Sequence, residues 1–231
     1  MKLSIIIPCY NEKQTIEKIV NKILKVNIKK EIIIVDDSSN DGTSNIIKTI
    51  KKSNIKKIFH KKNLGKGAAI KTAKKHISGD IILIQDADLE YFPSDYIRLL
   101  NPILSKKSKV VYGSRVLGRS QNNNSKFTSN IRILGNFLLT KLSNFINNQN
   151  LTDAHTCYKV FDKKIFKKII LKELDFRFCP EVTCKISNLN EKIIEVPIKY
   201  NGRSIKNGKK IRLKDAFLAV ICLIKYGILS K

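Results

Sequence analysis

The sequence predicts an α/β fold, a mostly parallel central sheet with helices on both faces. Three observations carry this. Short apolar, β-branched runs alternate with helical stretches through the first half. The runs are continuous rather than alternating, as strands buried on both faces are. Polar residues follow the main runs, and parallel sheets bind ligands beyond the carboxyl ends of their strands.

The first strand is expected at Leu3 to Ile7, stopped by Pro8. A helix follows from about Glu12 to Val26, with Ile16, Ile19, Val20, Ile23 and Leu24 at helical spacing. "EIIIVDDSSNDGT" repeats the arrangement: Ile32 to Val35 as a strand, a polar turn, and a helix from about Thr43. A strand near Ile55 to Phe59, the loop "KKNLGKGAAI" leading into a helix, and the strand Ile81 to Ile84 complete this series. The second half is less regular. It offers a strand in "VVYGSR", an Asn-rich loop from Gly118 to Ser129 and a helix from about Asn130 to Asn147. Further helices are expected near Lys163 to Ile170 and from "FRFCPEV", with a last strand in "KIIEVPIKYNGR" and the apolar segment Asp215 to Leu229. No repeat or linker divides the chain, so residues 1–231 are expected to form a single domain.

The bulk composition narrows the partners. Hydrophobic residues make up 42% and charged residues 28%, which argues for a folded chain and against disorder. Lys plus Arg number 45 against 19 Asp plus Glu, a net charge of +26, so an anionic partner is expected. Nucleic acid, an anionic membrane surface and a phosphorylated substrate all fit that charge. The five cysteines are scattered, with no C-x-x-C pair, so neither a disulfide framework nor a zinc site is implied and a reducing cytosol is the expected setting. The N-terminal apolar run reaches Pro8 too soon for a signal peptide and reads as a strand.

Against this positive background, "LIQDADLEYFP" places Asp86, Asp88 and Glu90 at alternating positions after a buried strand. Carboxylates packed this densely repel one another unless a cation compensates. Their oxygens suit a hard divalent ion, Mg²⁺ or Mn²⁺, whose shell is completed by water and substrate phosphates. Asp36 and Asp37 offer acceptors for nucleoside hydroxyls and base edges. No G-x-G-x-x-G follows the first strand and no G-x-x-x-x-G-K-[ST] is present, which excludes simple dinucleotide and P-loop readings. Gly65-Lys66-Gly67 remains a flexible approach to a ligand.

"SIIIPCYNE", "IIIVDDSSNDGT", "NLGKGAAI", "DIILIQDADLEYFPSD", "VVYGSR", "TDAHTCYKVF" and "EVPIKYNGRSIKNGKKIRLKDAF" occur in order over nearly the whole chain. Together they resemble glycosyltransferase family two, in its branch of polyprenyl-phosphate sugar synthases similar to dolichol-phosphate mannosyltransferase. The resemblance implies a GT-A fold, with residues 1–115 as the nucleotide-sugar and metal half and 116–231 as the acceptor half. It implies a metal held by Asp86 and Asp88, helped by Glu90, and a donor site lined by Pro8, Tyr10, Asn11, Glu12, Asp37 and Lys66. For the acceptor's phosphate it implies Arg115, Arg132, Arg203 and Lys209.

The expected reaction is an inverting, metal-dependent transfer of a sugar from a nucleotide sugar to polyprenyl phosphate. GDP-mannose, UDP-glucose and UDP-N-acetylglucosamine all suit it as donors. An incoming phosphate monoester is already an anion and needs arginines rather than a general base. A saccharide hydroxyl, the alternative acceptor, would need a base such as Asp153 or Glu181. Each of those acids equally suits another role: Asp153 positioning the acceptor loop, Glu181 capping its helix or binding the donor sugar. A nucleic-acid binder is the remote third reading, resting on charge alone, and no nucleic-acid partner is expected. No apolar run approaches the roughly 20 residues needed to span a bilayer. The expectation is therefore a cytoplasmic protein associated peripherally with the cytoplasmic face of a membrane, through anionic lipid or a membrane-protein partner. Asp215 to Leu229, preceded by the basic run "KNGKKIRLK", and "IRILGNFLLTKLSNF" are the two segments that either lie in the interface or pack in the core.

Overall fold

The computed structural model describes residues 1–120, 130–203 and 213–230. Strands β1 (Leu3–Cys9), β2 (Lys30–Asp36), β3 (Ile55–Phe59) and β4 (Ile81–Ile84) alternate with helices α1 (Ile16–Leu24), α2 (Thr43–Thr49) and α3 (Lys66–Lys74). After β4 come a 3-10 turn at Pro93–Asp95, helix α4 (Tyr96–Leu104), strand β5 (Val110–Ser114) and helices α5 (Arg115–Ser120) and α6 (Asn130–Asn147). Strand β6 (Lys159–Asp162), helices α7 (Lys163–Lys168) and α8 (Phe178–Asn188), strand β7 (Ile193–Pro197) and helix α9 (Leu213–Gly227) complete the order.

The seven strands form one sheet in the order β3-β2-β1-β4-β6-β5-β7. All neighbours run parallel except β6, which is antiparallel to both β4 and β5. The continuous apolar runs are the reason for the parallel centre: Ile5 to Ile7, Ile32 to Val35 and Ile81 to Ile84 are all buried. Helix α3 packs on β1 and β2, and α4 packs on β5. The starts of β1, β3, β4 and β5 and the position of α6 follow the sequence pattern, whereas β2 begins at Lys30 and α3 begins at Lys66, inside the expected loop "KKNLGKGAAI". Helix α1 begins at Ile16, not near Glu12, because Asn11 takes a left-handed backbone (φ 51°) and Glu12 is held by a hydrogen bond from its N–H to Thr43 Oγ1. Its buried residues Ile16, Ile19, Val20 and Ile23 keep the expected spacing. Helix α4 and strand β6 are additions to what the pattern shows; α5 takes Gly118 to Ser120 from the expected Asn-rich loop, whose remainder, 121–129, lies outside the described residues.

At the carboxyl ends of β1, β2 and β4 the chain turns into the segments that begin at Tyr10, Asp37 and Gln85. These ends are adjacent in the sheet, so their loops share one crevice.

Candidate active site

The loops after β1 and β2 are built as one piece. Asn11 Nδ2 donates to Asn40 Oδ1 (2.9 Å) and Asn40 N–H donates to Asn11 Oδ1 (3.0 Å). Asp37 N–H donates to the carbonyl of Cys9, and Asn11 N–H to Ser39 Oγ. Pro8 is the penultimate residue of β1 and Tyr10 follows its end, both half-buried. Asp36 accepts from the hydroxyls of Ser39 and Ser44. Asp37, buried, accepts from Leu64 N–H (2.9 Å) and Gly65 N–H (2.7 Å), and its Oδ1 lies 2.6 Å from His60 Nδ1. Its carboxylate thus shapes the Asn63 to Gly65 turn that delivers Lys66.

That turn has little freedom. Gly65 sits at φ +100°, and a Cβ on Gly65 or Gly67 would strike the backbone carbonyls of Leu174 and Glu173. Ala68 N–H donates to the Leu174 carbonyl (2.8 Å). Lys66 Nζ lies 2.5 Å from Asp86 Oδ1. Burial works against the Lys66 charge, but Asp86 more than offsets it and holds the ammonium above its usual range.

The three acids after β4 have different surroundings. Asp86 and Asp88 keep 21% and 13% side-chain exposure, so neither is fully enclosed. Asp88 accepts from Glu90 N–H, and Arg203 Nη2 approaches it at 3.1 Å. Burial, then the charges of Asp86 and Glu90, push the Asp88 carboxyl up to about 7 despite Arg203. Glu90 is buried, and its oxygens accept from Tyr200 OH (2.7 Å) and Arg203 N–H (2.7 Å). A bridge between Tyr91 and Tyr200 and a bond from Asn201 N–H to the Glu90 carbonyl pin the two segments together. Among the described residues no three acid, His or Cys side chains converge as a ready metal cage. The donor set nevertheless fits Mg²⁺ or Mn²⁺: Asp86 and Asp88 offer hard carboxylate oxygens on partly exposed side chains, and such ions take one or two carboxylates and leave the rest of the shell to water and phosphates.

Positive groups face these acids. Arg203 forks onto Glu12 (Nη1 to Oε2 3.1 Å, Nη2 to Oε1 2.9 Å) while reaching Asp88, with Glu90 3.7 Å from its Nε. Arg115, at the end of β5, forks onto Asp153, with Nε to Oδ2 at 2.6 Å and Nη2 to Oδ1 at 2.7 Å. Its guanidinium lies 5.2 Å from the Tyr200 ring centroid, three residues before Arg203. Asn136 of α6 donates to Asp153, and Arg132 stands one turn earlier on that helix. Lys209 lies outside the described residues.

The two candidate bases are both committed. Asp153 is fully buried; Arg115 outweighs that burial and holds its carboxyl below the usual range. Glu181, also fully buried, accepts from Lys172 N–H (2.6 Å), Glu173 N–H (3.0 Å) and Lys185 Nζ (2.5 Å). It holds the segment that abuts Gly65 and Gly67. Sequence reasoning missed Glu195, which accepts from Thr152 N–H (2.6 Å) and Asp153 N–H (2.9 Å), and Lys159, which is fully buried. Glu195 carried a signal, a charged residue inside the expected apolar strand run "KIIEVPIKYNGR"; Lys159 carried none.

Residues 4–170 match the family "Glycosyl transferase family 2". A UDP-N-acetylglucosamine--dolichyl-phosphate N-acetylglucosaminyltransferase of Methanococcus voltae is 28% identical over 246 residues, covering 96% of this chain and 96% of its own. A dolichyl-phosphate beta-glucosyltransferase of Trichomonas vaginalis is 28% identical, covering 99% of this chain and 74% of its own. In structure, the glucosyl-3-phosphoglycerate synthase of Mycobacterium tuberculosis, solved with Mn²⁺, uridine diphosphate and glucosyl-3-phosphoglycerate, superposes with a TM-score of 0.71 at 16% identity. That likeness covers 97% of this chain and 79% of the other, and it establishes the GT-A fold. With that fold and a match over residues 4–170, the chain belongs to glycosyl transferase family 2 and is a glycosyltransferase.

Proposed function

We propose that the chain transfers a sugar from a nucleotide-sugar donor to a polyprenyl phosphate at a membrane surface, with inversion at the anomeric carbon. The observation that carries this reading is the commitment of both candidate bases: Asp153 is forked by Arg115 and Glu181 is bound by two backbone N–H groups and Lys185. A hydroxyl acceptor needs a base to take its proton, whereas a phosphate monoester does not. Its oxygen attacks the anomeric carbon, the new C–O bond forms opposite the leaving diphosphate, the old C–O bond breaks, and no proton moves. The names of the two relatives, both dolichyl-phosphate transferases, support the same acceptor class.

Asp86 and Asp88 are the residues that would hold Mg²⁺ or Mn²⁺, which supplies Lewis-acid neutralisation of the leaving diphosphate. Lys66 adds a positive charge beside Asp86. Pro8, Tyr10, Asn11 and Glu12 lie beside the nucleotide in this reading, and Asp37 acts through the turn it shapes. Arg115, Arg132 and Arg203 draw the acceptor's phosphate toward a second anion, and Tyr200 links two of them.

No helix among the described residues is long and apolar enough to cross a membrane. Helices α6 and α9 pack on α8 through Ile146, Cys184, Cys222, Leu223 and Tyr226, so each segment is partly core. Their outer faces carry exposed stripes at helical spacing: Leu134, Phe137, Leu138 and Phe145 on α6, and Phe217, Ile221 and Ile224 on α9, with Ile228 just past its end. Phe145 is 88% exposed. Such stripes beside a net charge of +26 suit an anionic lipid surface. The donor is tested by thermal shift with UDP-glucose, UDP-N-acetylglucosamine and GDP-mannose in the presence of Mn²⁺: one should stabilise the fold well above the others, and no stabilisation by any would contradict the donor class.

A further inference from the structure

Lys159 opens β6, opposite Tyr112 of β5 in the antiparallel ladder, and is wholly buried. Its Nζ donates to the Ala154 carbonyl at 2.8 Å and stands 3.6 Å from the Tyr112 ring centroid. An ammonium in such a place is costly, and a methionine would fill similar space without that cost. The sheet therefore gains nothing from the charge, and its purpose has to be sought in the loop it reaches.

That loop is the one that presents Asp153 to Arg115. Its backbone is held from several sides: Thr152 and Asp153 N–H by Glu195, Ala154 N–H by Thr140 Oγ1 (3.2 Å), and the Ala154 carbonyl by Lys159. Charge is arranged the same way. An Arg115–Asp153 pair by itself is neutral and attracts a phosphate weakly. Glu195 brings a second carboxylate to this loop, and Lys159, in electrostatic reach of Asp153, is the second cation that keeps the group from being net negative.

We propose that Lys159 is a positioning residue for acceptor binding: it fixes the Ala154 carbonyl and offsets the second carboxylate, Glu195, so that the Arg115–Asp153 loop does not repel the acceptor's phosphate. The inference rests on the polyprenyl-phosphate reading above. The groups around Lys159 are Tyr112 from β5, Cys157 two residues earlier, Cys179 from α8, Asp153, His155 and Arg115, and behind Tyr112 and Asp153 the Glu195 carboxylate of β7. Burial, then Lys159, pull the His155 ring down to about 4, so it adds no charge near neutral pH. Burial keeps Tyr112 and Cys157 protonated well into the alkaline range. Burial also pulls Lys159 itself down to about 8, against the opposing Cys179 and Asp153. Below that pH the extra charge is present, and above it the charge is lost.

The test is calorimetric binding of farnesyl phosphate to the full chain at about pH 7 and about pH 9. Wild-type affinity should fall roughly tenfold between them. Lys159→Met should bind about tenfold more weakly at the lower pH and show no such fall, while Lys159→Arg should hold its affinity through the higher pH. Affinity for the nucleotide sugar should be unchanged in all three. The proposal is overturned by a wild-type affinity that is flat across this range, by Lys159→Met binding as tightly as wild type, or by equal losses for donor and acceptor. Should Lys159→Met fail to fold, the wild-type and Lys159→Arg profiles decide alone. Wild type binding farnesyl phosphate at neither pH would remove the acceptor reading, and this proposal with it.

Discussion

The acids of this crevice divide by burial. Asp37, Glu90, Asp153 and Glu181 are enclosed with their partners, whereas Asp86 and Asp88, engaged by Lys66, Glu90 N–H and Arg203, keep part of their side chains exposed. Asp88→Ala should therefore leave the thermal midpoint near wild type while transfer falls by about a thousandfold, several kcal/mol of lost charge stabilisation. Wild-type turnover in that variant would sink the metal assignment. Arg115 is a harder residue to remove, since truncation strands a buried carboxylate at a cost of about 3 kcal/mol or more. Arg115→Lys keeps the charge but loses the fork, and steady-state kinetics should show the acceptor KM rising about tenfold with the donor KM little changed. Equal increases would place Arg115 on the donor side. Spacing after a strand singled out Asp86 and Asp88, and the family resemblance singled out Arg115. Neither could separate the acids that face ligand from those that hold loops, because that depends on partners such as Tyr200 and Glu195, which lie far away in sequence.

At the scale of elements, the donor turn and the segment after α7 form one unit. Glu181 holds the N–H groups of Lys172 and Glu173, and the carbonyls of Glu173 and Leu174 close on Gly67 and Gly65. Gly67→Ala should cost about 1 to 3 kcal/mol in urea unfolding and weaken nucleotide-sugar binding, since the turn must back away from a rigid carbonyl. Unchanged stability and donor affinity would mean that the contact yields freely. The parallel centre of the sheet was legible because Ile5 to Ile7, Ile32 to Val35 and Ile81 to Ile84 are apolar on both faces. Strand β6 was not, because it has only four residues and begins at a buried lysine that reads as a surface residue. Helix α4 was obscured by Pro102 inside it.

For the molecule as a whole, Glu31 joins strand starts opposite the crevice, accepting from Ser4 Oγ, Ser78 N–H, Gly79 N–H and Lys2 Nζ. Burial raises its pKa, but these hydrogen bonds, led by Ser4, more than compensate and bring it from 4.5 to about 2. The depressed carboxyl contributes about 3 kcal/mol above its unfolded value, and that stability is lost as pH falls from about 4.5 toward 2. Acid titration of the unfolding free energy should show a shallower loss over this window in Glu31→Gln; identical slopes would contradict the assignment. The exposed stripes of α6 and α9 predict binding to anionic vesicles that weakens with salt and in Phe137→Ser with Phe217→Ser, read by co-sedimentation. Binding unaffected by either change would point to another surface. The most direct test of the central claim is sugar transfer by the wild-type chain, given its stabilising nucleotide sugar and Mn²⁺, to a polyprenyl phosphate and, separately, to a free saccharide. Formation of the lipid-phosphate sugar with no transfer to the saccharide hydroxyl is the result predicted. Transfer to the hydroxyl with none to the phosphate would contradict it.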